Sequence, residues 1–345
     1  MIYIPDDEAN TRHIPRPEVP EGKRTNVSAI KEAALRRMAR RVEKTETPIP
    51  LLWSNLADAL GGGLWPGLHV LVGNTGSGKT QLALQIALHA AQHQIPVCYI
   101  GLELGHLDFI ARLLGLLTDQ KWSDLYLGKN NALAMIYEKQ QAALDQLDHL
   151  PLDIQVAPSM GWGYPELMKI ADEMRKQYPE TLDSDQKPIE GSRPFLIILD
   201  FLQLVSGDDR ELRERIGKAA YAGRNIARTY NASVLLISST SRENYGKLDG
   251  GEKPGEGNPA RMVGMGKESG EIEFAANSVL VLVKEPWPDS TPPVGGSRCW
   301  IAIAKIREGT PKWVELNFNG SKFSLPAHYQ LQNGKHVSHH VDFDY

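Results

Sequence analysis

LHVLVGNTGSGKT, residues 68–80, opens as a short, continuously apolar run and ends in a glycine-rich octapeptide whose last two residues are Lys79 and Thr80. An apolar run of that length bounded by glycine reads as a buried strand of a parallel sheet. Residues from Thr80 to about Gln92, rich in Ala, Leu and Gln, read as the helix that follows. Strand, glycine loop and helix in that order form a phosphate-binding loop, with Gly73, Asn74, Thr75, Gly76, Ser77, Gly78, Lys79 and Thr80 as the nucleotide-binding residues. Gly73, Gly76 and Gly78 let the backbone turn tightly, so that its N–H groups point at phosphate oxygens and the helix presents its positive end. Lys79 would reach the outer phosphates of ATP, and the Thr80 hydroxyl would hold Mg2+. Average residue frequencies give the four fixed positions by accident in roughly one chain in a hundred of this length. The strand before and the helix after reduce that further.

Strand and helix alternate outward from this loop. IPVCYIGLE, LDIQVAP, FLIILDFLQLV and ASVLLISST read as strands, and helices are expected over HLDFIARLLGLL, 132–148, about 164–178 and about 211–229. NSVLVLVKE, RCWIAIAKIR and WVELNFNG then form a β-rich C-terminal part. The fold class is therefore α/β, a P-loop NTPase whose mostly parallel sheet is flanked by helices. Residues 1–27, with four prolines, read as a flexible arm. SAIKEAALRRMARRVEKTE, capped by Ser28, reads as a basic amphipathic helix in 28–47; the catalytic domain runs 48–325, and 326–345 is expected to be a disordered tail. PETLDSDQKPIEGSRP reads as a surface loop, and the segment 243–270, with eight glycines in 28 residues, as a long flexible one.

Composition narrows the classes. No apolar run approaches the ~18 residues that span a bilayer, and the N-terminal stretch lacks a basic region followed by an apolar one. The expected compartment is the reducing cytoplasm, with Cys98 and Cys299 as ordinary buried side chains. A formal net charge of −4 supplies no overall attraction to nucleic acid, so any such contact must come from local basic loops.

A bound metal ion needs a second protein ligand at the end of a neighbouring strand, and Asp200, closing FLIIL, is the candidate. Phe201 follows it, where many P-loop ATPases carry a glutamate. Glu103, in YIGLELG at the end of the strand next after the loop, is the candidate to orient water for attack on the γ-phosphate. That placement is RecA-type.

Five motifs in order resemble the C-terminal RecA-like motor domain of the DnaB-type replicative helicases. LWSNLADALGGGLWPG resembles the family's approach to the phosphate loop, and GLELGHLDFIARLL its Ser-Leu-Glu-Met motif with an arginine-bearing helix. LIILDFLQLV resembles its metal-binding strand, KESGEIEFAANSVLVLVKE its Glu-Ser-Gly-x-Ile-Glu segment, and IAKIREG its Ala-Lys-x-Arg-x-Gly segment. The resemblance implies that Lys305 and Arg307 reach across a subunit interface to the neighbour's γ-phosphate, Arg307 as the arginine finger. It implies a homo-oligomeric, hexameric ring around single-stranded DNA, served by a loader or other replication proteins. Two departures stand out. The family's Ser-Gln-Leu-Ser-Arg sensor strand reads SSTSR, which puts Ser239 at the sensor glutamine, and its Glu-Gln-Asp-Ala-Asp reads EFAAN from Glu273 to Asn277. The family's N-terminal, primase-contacting domain has no counterpart in the sequence, and the basic helix resembles its linker helix.

DNA would be held by two loops, one carrying Arg210, Arg213 and Arg215, the other Lys247, Lys253, Arg261 and Lys267. Their basic residues are interleaved with acids, so a solvated loop competes with that reading. The function implied is an ATP-driven helicase or translocase on single-stranded DNA in replication. The alternatives are a RecA-, KaiC- or RadA-like regulator or repair ATPase that does not unwind, and a non-catalytic ring; the intact set of Lys79, Thr80, Glu103, Asp200 and Arg307 weighs against the last.

Overall fold

A computed structural model describes residues 26–156, 163–182, 186, 188–189, 191–204, 212–240, 254–266, 269–285, 296–326 and 329. The chain divides into two compact units, 1–46 and 47–345. In the first, helix α1 spans Val27–Val42. Its N-cap is Asn26, whose side chain accepts from the Ser28 N–H at 3.0 Å, so the cap lies two residues before the expected Ser28. The helix also stops five residues short of 47. Beyond it, the buried Glu46 carboxylate gathers Arg37, Arg40 and Arg41 at 2.9–3.4 Å, which satisfies a charge that burial would otherwise penalise.

The second unit is built on a nine-stranded sheet. Its elements in order are α2 Ser54–Ala59, β1 Gly67–Gly73, α3 Lys79–Gln92, β2 Val97–Gly101, α4 His106–Thr118, α5 Trp122–Tyr126, α6 Ala132–Lys139, α7 Gln141–Asp148, β3 Leu152–Val156 and α8 Tyr164–Gln177. There follow β4 Leu196–Asp200, α9 Leu212–Tyr230, β5 Ser233–Ser239, a 3-10 turn over Pro259–Met265, α10 Ser269–Ala275, β6 Ser278–Lys284, β7 Ser297–Ile306, β8 Lys312–Phe318 and β9 Phe323–Ser324. Across the sheet the order is β3-β2-β4-β5-β1-β6-β7-β8-β9. The first six strands in that order run parallel, and β7, β8 and β9 add antiparallel.

Side chains alternate between two cores, as the pleat requires. On β1, Leu71 faces the core that holds α2, α3 and α4, while Leu68, Val70 and Val72 face the one that holds α8, α9 and α10. On β4, Leu196 and Ile198 take the first side and Ile197 and Leu199 the second. Both faces are buried, which is why these strands are continuously apolar in sequence.

Three local expectations change. The helix expected over 132–148 is broken at Gln140, whose φ of −136° and ψ of 33° leave the helical region, and α5 forms ahead of it. Part of the glycine-rich segment is ordered: Pro259 and Met265 are buried, Thr240 bridges to Gly266, and the 3-10 turn between is capped by Asn258. Within the insert, Leu182 bridges to Pro188. The expected N-terminal arm, apart from its last residues, and the expected tail, apart from Pro326 and Tyr329, lie outside the described residues.

Candidate nucleotide site

The loop between β1 and α3 is shaped by two glycines in the left-handed region, Gly76 at φ +78° and Gly78 at φ +99°. Gly78 has a second constraint, because a Cβ there would lie 3.0 Å from the Phe323 ring and 3.2 Å from that of Phe318. The loop closes on itself through Ser77 N–H to the Asn74 carbonyl at 3.1 Å, and Lys79 Nζ donates to the same carbonyl at 2.7 Å. The Ser77 hydroxyl is buried and has no hydrogen-bond partner among the described residues. A donor left unsatisfied in a buried loop of this shape suits a phosphate oxygen.

Facing Lys79 are the two carboxylates expected from sequence. Asp200, 5% exposed at the end of β4, bonds to the Thr80 hydroxyl and accepts from Tyr99 Oη at 2.8 Å. Burial raises its pKa, against the Thr80 and Tyr99 hydrogen bonds and the Lys79 charge, which hold it down; Glu103 adds to the rise. Lys79 moves the other way. Burial lowers it to about 8, although Asp200 and Glu103 favour its charged form. A desolvated ammonium beside a hydroxyl–carboxylate pair is the donor set that a metal–triphosphate requires. The residues present therefore fit ATP with Mg2+.

These groups line a cavity of about 560 Å³ together with Thr75, Gly76, Gly78, Gln81, Leu104, Arg112, Trp122, Ser239, Lys284, Phe318 and Gly320. Arg112 on α4 lies over the Trp122 ring at 3.8 Å and donates to Gln81 Oε1 at 3.0 Å; burial lowers its pKa. Ser239, at the sensor position, donates its N–H to Gln203 Oε1 at 3.1 Å, and Gln203 Nε2 donates to Ser238 Oγ at 2.7 Å. The Gln203 amide thus ties the segment after Asp200 to the end of β5. Trp122, Phe318 and Gly320 carried no motif and were missed, as was Lys284, which lies in a quoted motif but was given no role. An Asn319-Gly320 pair between aromatic residues is a hairpin signal that could have placed the β8–β9 turn beside the loop.

Lys305 and Arg307 are not in this cavity. Ile306 pairs with Ser278 and Lys305 with Val279 at the start of β6, whereas Gly73 pairs with Leu282 near its end. From Asn277, which accepts from the Arg307 N–H at 3.0 Å, to Leu282 is roughly 16 Å at ~3.3 Å per strand residue, more than an arginine side chain can bridge. Here Arg307 donates to the Phe274 carbonyl at 3.3 Å and the Ala276 carbonyl at 3.4 Å, and Lys305 donates to that of Glu273. The pair caps the C-terminal end of α10, where cations are favoured. Asn277, at the last position of the departing EFAAN motif, accepts from the Leu68 N–H at 3.1 Å and fills the space over Gly67, where a Cβ would meet it at 2.7 Å.

Comparison with known proteins agrees with the fold. The model of the DnaB-like helicase C terminal domain matches residues 49–325. The chain belongs to this family. A DnaB-like relative, the replicative DNA helicase DnaB of Synechocystis sp., is 28% identical over 187 residues, 54% of this chain and 20% of that one. Its counterpart in Nostoc sp. is 25% identical over 176 residues, 51% of this chain and 18% of that one. The chain thus spans about a fifth of the length of the curated relatives it matches. Among solved structures, a DnaB-like replicative helicase described with its primase interactions superposes with a TM-score of 0.68 at 17% identity, covering 87% of this chain and 66% of that one. A separately solved ATPase domain gives a TM-score of 0.67 at 19% identity, covering 86% of this chain and 98% of that one. At such identities the likeness is one of fold.

Of the candidate DNA contacts, Arg210, Lys247, Lys253 and Lys267 lie outside the described residues, as does the Arg213 side chain. Arg215 is half-buried on α9, and Arg261 is exposed on the 3-10 turn. Among the described residues, no helix is long and apolar enough to cross a membrane. Cys98 and Cys299 are both free and buried.

Proposed function

We propose that this chain is the motor domain of an ATP-hydrolysing DNA helicase that works in replication as a hexameric ring on single-stranded DNA, in the reducing cytoplasm. One observation carries the reading. The groups that can hold a nucleotide and the cations that can finish its hydrolysis sit at opposite ends of one sheet, so a complete site needs a second copy. Family membership supports the helicase activity and the DNA substrate.

Backbone N–H groups of 73–78 and the Lys79 ammonium hold the phosphates of ATP. Thr80 and Asp200 would hold Mg2+, which when bound would neutralise charge on the phosphate oxygens. Tyr99 fixes one Asp200 oxygen. Glu103, at the cavity wall, orients the attacking water, and Arg307 of a neighbouring copy, with Lys305 beside it, stabilises the charge that develops on the transferred group. Ser239 and Gln203 link the γ-phosphate end of the cavity to the segment that leads to the first candidate DNA loop. The domain division, arm 1–27, linker helix 28–47, motor 48–325 and tail 326–345, belongs to this reading, with α1 as the linker and loader or replication proteins as further partners.

Steady-state ATPase rates with and without single-stranded DNA, beside unwinding of a forked duplex, test it. The expected result is stimulation by the strand and ATP-dependent unwinding. Turnover without either would leave an ATPase regulator in its place.

A further inference from the structure

Gln81, one residue past Thr80 in the first turn of α3, is 2% exposed and lines the nucleotide cavity. Only one end of its amide is engaged. Oε1 accepts from Arg112 at 3.0 Å, whereas Nε2 is buried and has no hydrogen-bond partner among the described residues. The orientation is forced, because a guanidinium has no acceptor and must meet the amide through its oxygen. Arg112 is in turn held by the Trp122 ring, whose centre is 3.8 Å from the guanidinium carbon, and its own Nε is likewise buried without a partner among the described residues. Donors left unmade in a buried wall are costly, and a ligand acceptor removes that cost.

The part of a nucleotide that reaches this wall follows from its place. The loop backbone, Lys79 and Thr80 serve the outer phosphates, and Gln81 stands one residue deeper in the helix, against Arg112 of α4. Helical side chains lean toward the N-terminus of their helix, so the Gln81 amide reaches back toward the phosphates. The nucleotide cavity shares Trp122 and Gly320 with a second one of about 400 Å³, which has Gly115, Asp119, Lys121 and Ser321 in its walls. With the outer phosphates at Lys79 and Thr80, that second cavity is the space left for sugar and base. Gln81, Arg112 and Trp122 therefore flank the passage between phosphates and nucleoside. The Arg112 charge behind the amide favours an anionic acceptor.

We infer that the Gln81 amide donates to an oxygen of the phosphate that joins the nucleoside, and that Arg112 and Trp122 act through Gln81 as positioning residues. The inner phosphate then has a side chain of its own, as the outer ones have Lys79. A diphosphate and a triphosphate make this contact equally, so it holds product as firmly as substrate. Gln203 does not compete for the role, because its amide is engaged at both ends, on the Ser239 N–H and on Ser238 Oγ. The inference rests on the reading of the cavity as a site for ATP.

The test is calorimetry on the full chain with Mg2+ and three ligands, ADP, 2′,3′-dideoxy-ADP and a non-hydrolysable ATP analogue, beside steady-state turnover. Gln81→Leu removes the donor, and losing one hydrogen bond to a charged group should raise the Kd about ten-fold for all three. KM should rise by the same factor, with kcat changed less than about three-fold, as for a contact made equally in ground and transition states. Gln81→Glu is the decisive variant. It keeps an acceptor for Arg112, which is all that a structural role needs, but turns the donor into an anion facing phosphate. It should bind every ligand more weakly than Gln81→Leu does, with a melting temperature close to the parent's. Trp122→Leu should weaken binding about three-fold alone and add little to Gln81→Leu, as for residues that act through one contact. A loss confined to the triphosphate would put the amide on the terminal phosphate, and a loss that spares the dideoxy ligand would put it on the sugar. Gln81→Glu binding as well as the parent would leave Gln81 a strut of the wall, and full additivity would deny Trp122 its part. Each of these overturns the inference. A parent chain that binds none of the ligands refutes the ATP reading itself, whereas tight parent binding that Gln81→Leu leaves within two-fold removes the Gln81 contact alone.

Discussion

The carboxyl ends of β1, β2, β4 and β5 and the opposite edge, where β7 runs out beside the start of β6, are built in different ways. At the first, Lys79, Thr80, Tyr99 and Asp200 are drawn into a buried set of mutual hydrogen bonds and charges. Each group is held by another of the same chain, and what is unsatisfied, such as the Ser77 hydroxyl, points to a small ligand. At the second edge, Lys305 and Arg307 rest on carbonyls at the end of α10, one of them that of the exposed Phe274. The first end is preorganised around an open cavity; the second is a pair of cations capping a helix. Under the proposed function, binding would belong to one chain and hydrolysis to two.

The sharpest way to break this comparison is Arg307→Ala. An arginine finger contributes about 10³-fold or more to phosphoryl transfer, so turnover should fall by that order while nucleotide affinity stays within a few fold. Stopped-flow binding of a fluorescent ATP analogue, run beside steady-state turnover, separates the two. Equal loss of both would place Arg307 in its own chain's binding site, against the register of β6 and β7. Mixing inactive Arg307→Ala with inactive Glu103→Gln should also restore some turnover, because some interfaces then pair an intact carboxylate with an intact finger.

Lys79→Ala is expected to do the opposite at the other end. Losing one positioned donor costs about 10²–10³-fold in turnover, and here binding should weaken with it. The lowered pKa of Lys79, about 8, adds a signature. Phosphates favour the ammonium, so nucleotide binding above pH 8 should draw a proton into the protein, and calorimetry in buffers of different ionisation enthalpy should detect it. In Lys79→Ala that uptake should vanish. Unchanged uptake would assign the proton to another group.

How much of each end was legible in sequence follows from how local its determinants are. The phosphate loop, Asp200 and Glu103 could be read because each sits at a strand's end, where an apolar run stops at a polar residue. Trp122, Lys284 and Gly320 come from three separate elements that meet only through the sheet order, which no local pattern encodes. The break at Gln140 was hidden because its flanks, ALAMIYEK and QAALDQLD, are each good helix formers. The 3-10 turn inside the glycine-rich segment was hidden for the opposite reason: its composition favours loop, and burial of Pro259 and Met265 overrides it. Lys305 and Arg307 were singled out only through the family resemblance, since two basic residues alternating on a strand usually make a solvated face, and the fold sets them apart from the cavity.

A smaller effect sharpens the comparison through pH. His69 lies on β1 opposite Ser278, at the same level of the sheet as Arg307, and is buried between Ser278 Oγ and the Trp65 carbonyl, each at 2.8 Å. Burial lowers its pKa from 6.5 to about 4, against the pull of the Trp65 carbonyl. In the unfolded chain the imidazole gains a proton below 6.5, while in the fold it stays neutral until about 4. The stability it contributes is therefore present in full above pH 6.5 and is lost as pH falls toward 4, by about 2 kcal/mol at pH 5. Urea unfolding at pH 7 and pH 5 should show this difference, and His69→Gln should shrink it by the same amount. Amide exchange at pH 5 should then rise first along 276–279 and 304–307, with the strand ends around Gly73 and Asp200 still protected. If protection falls first at the cavity end instead, acid loosens the preorganised half, and the division between a rigid binding end and a yielding finger end does not hold.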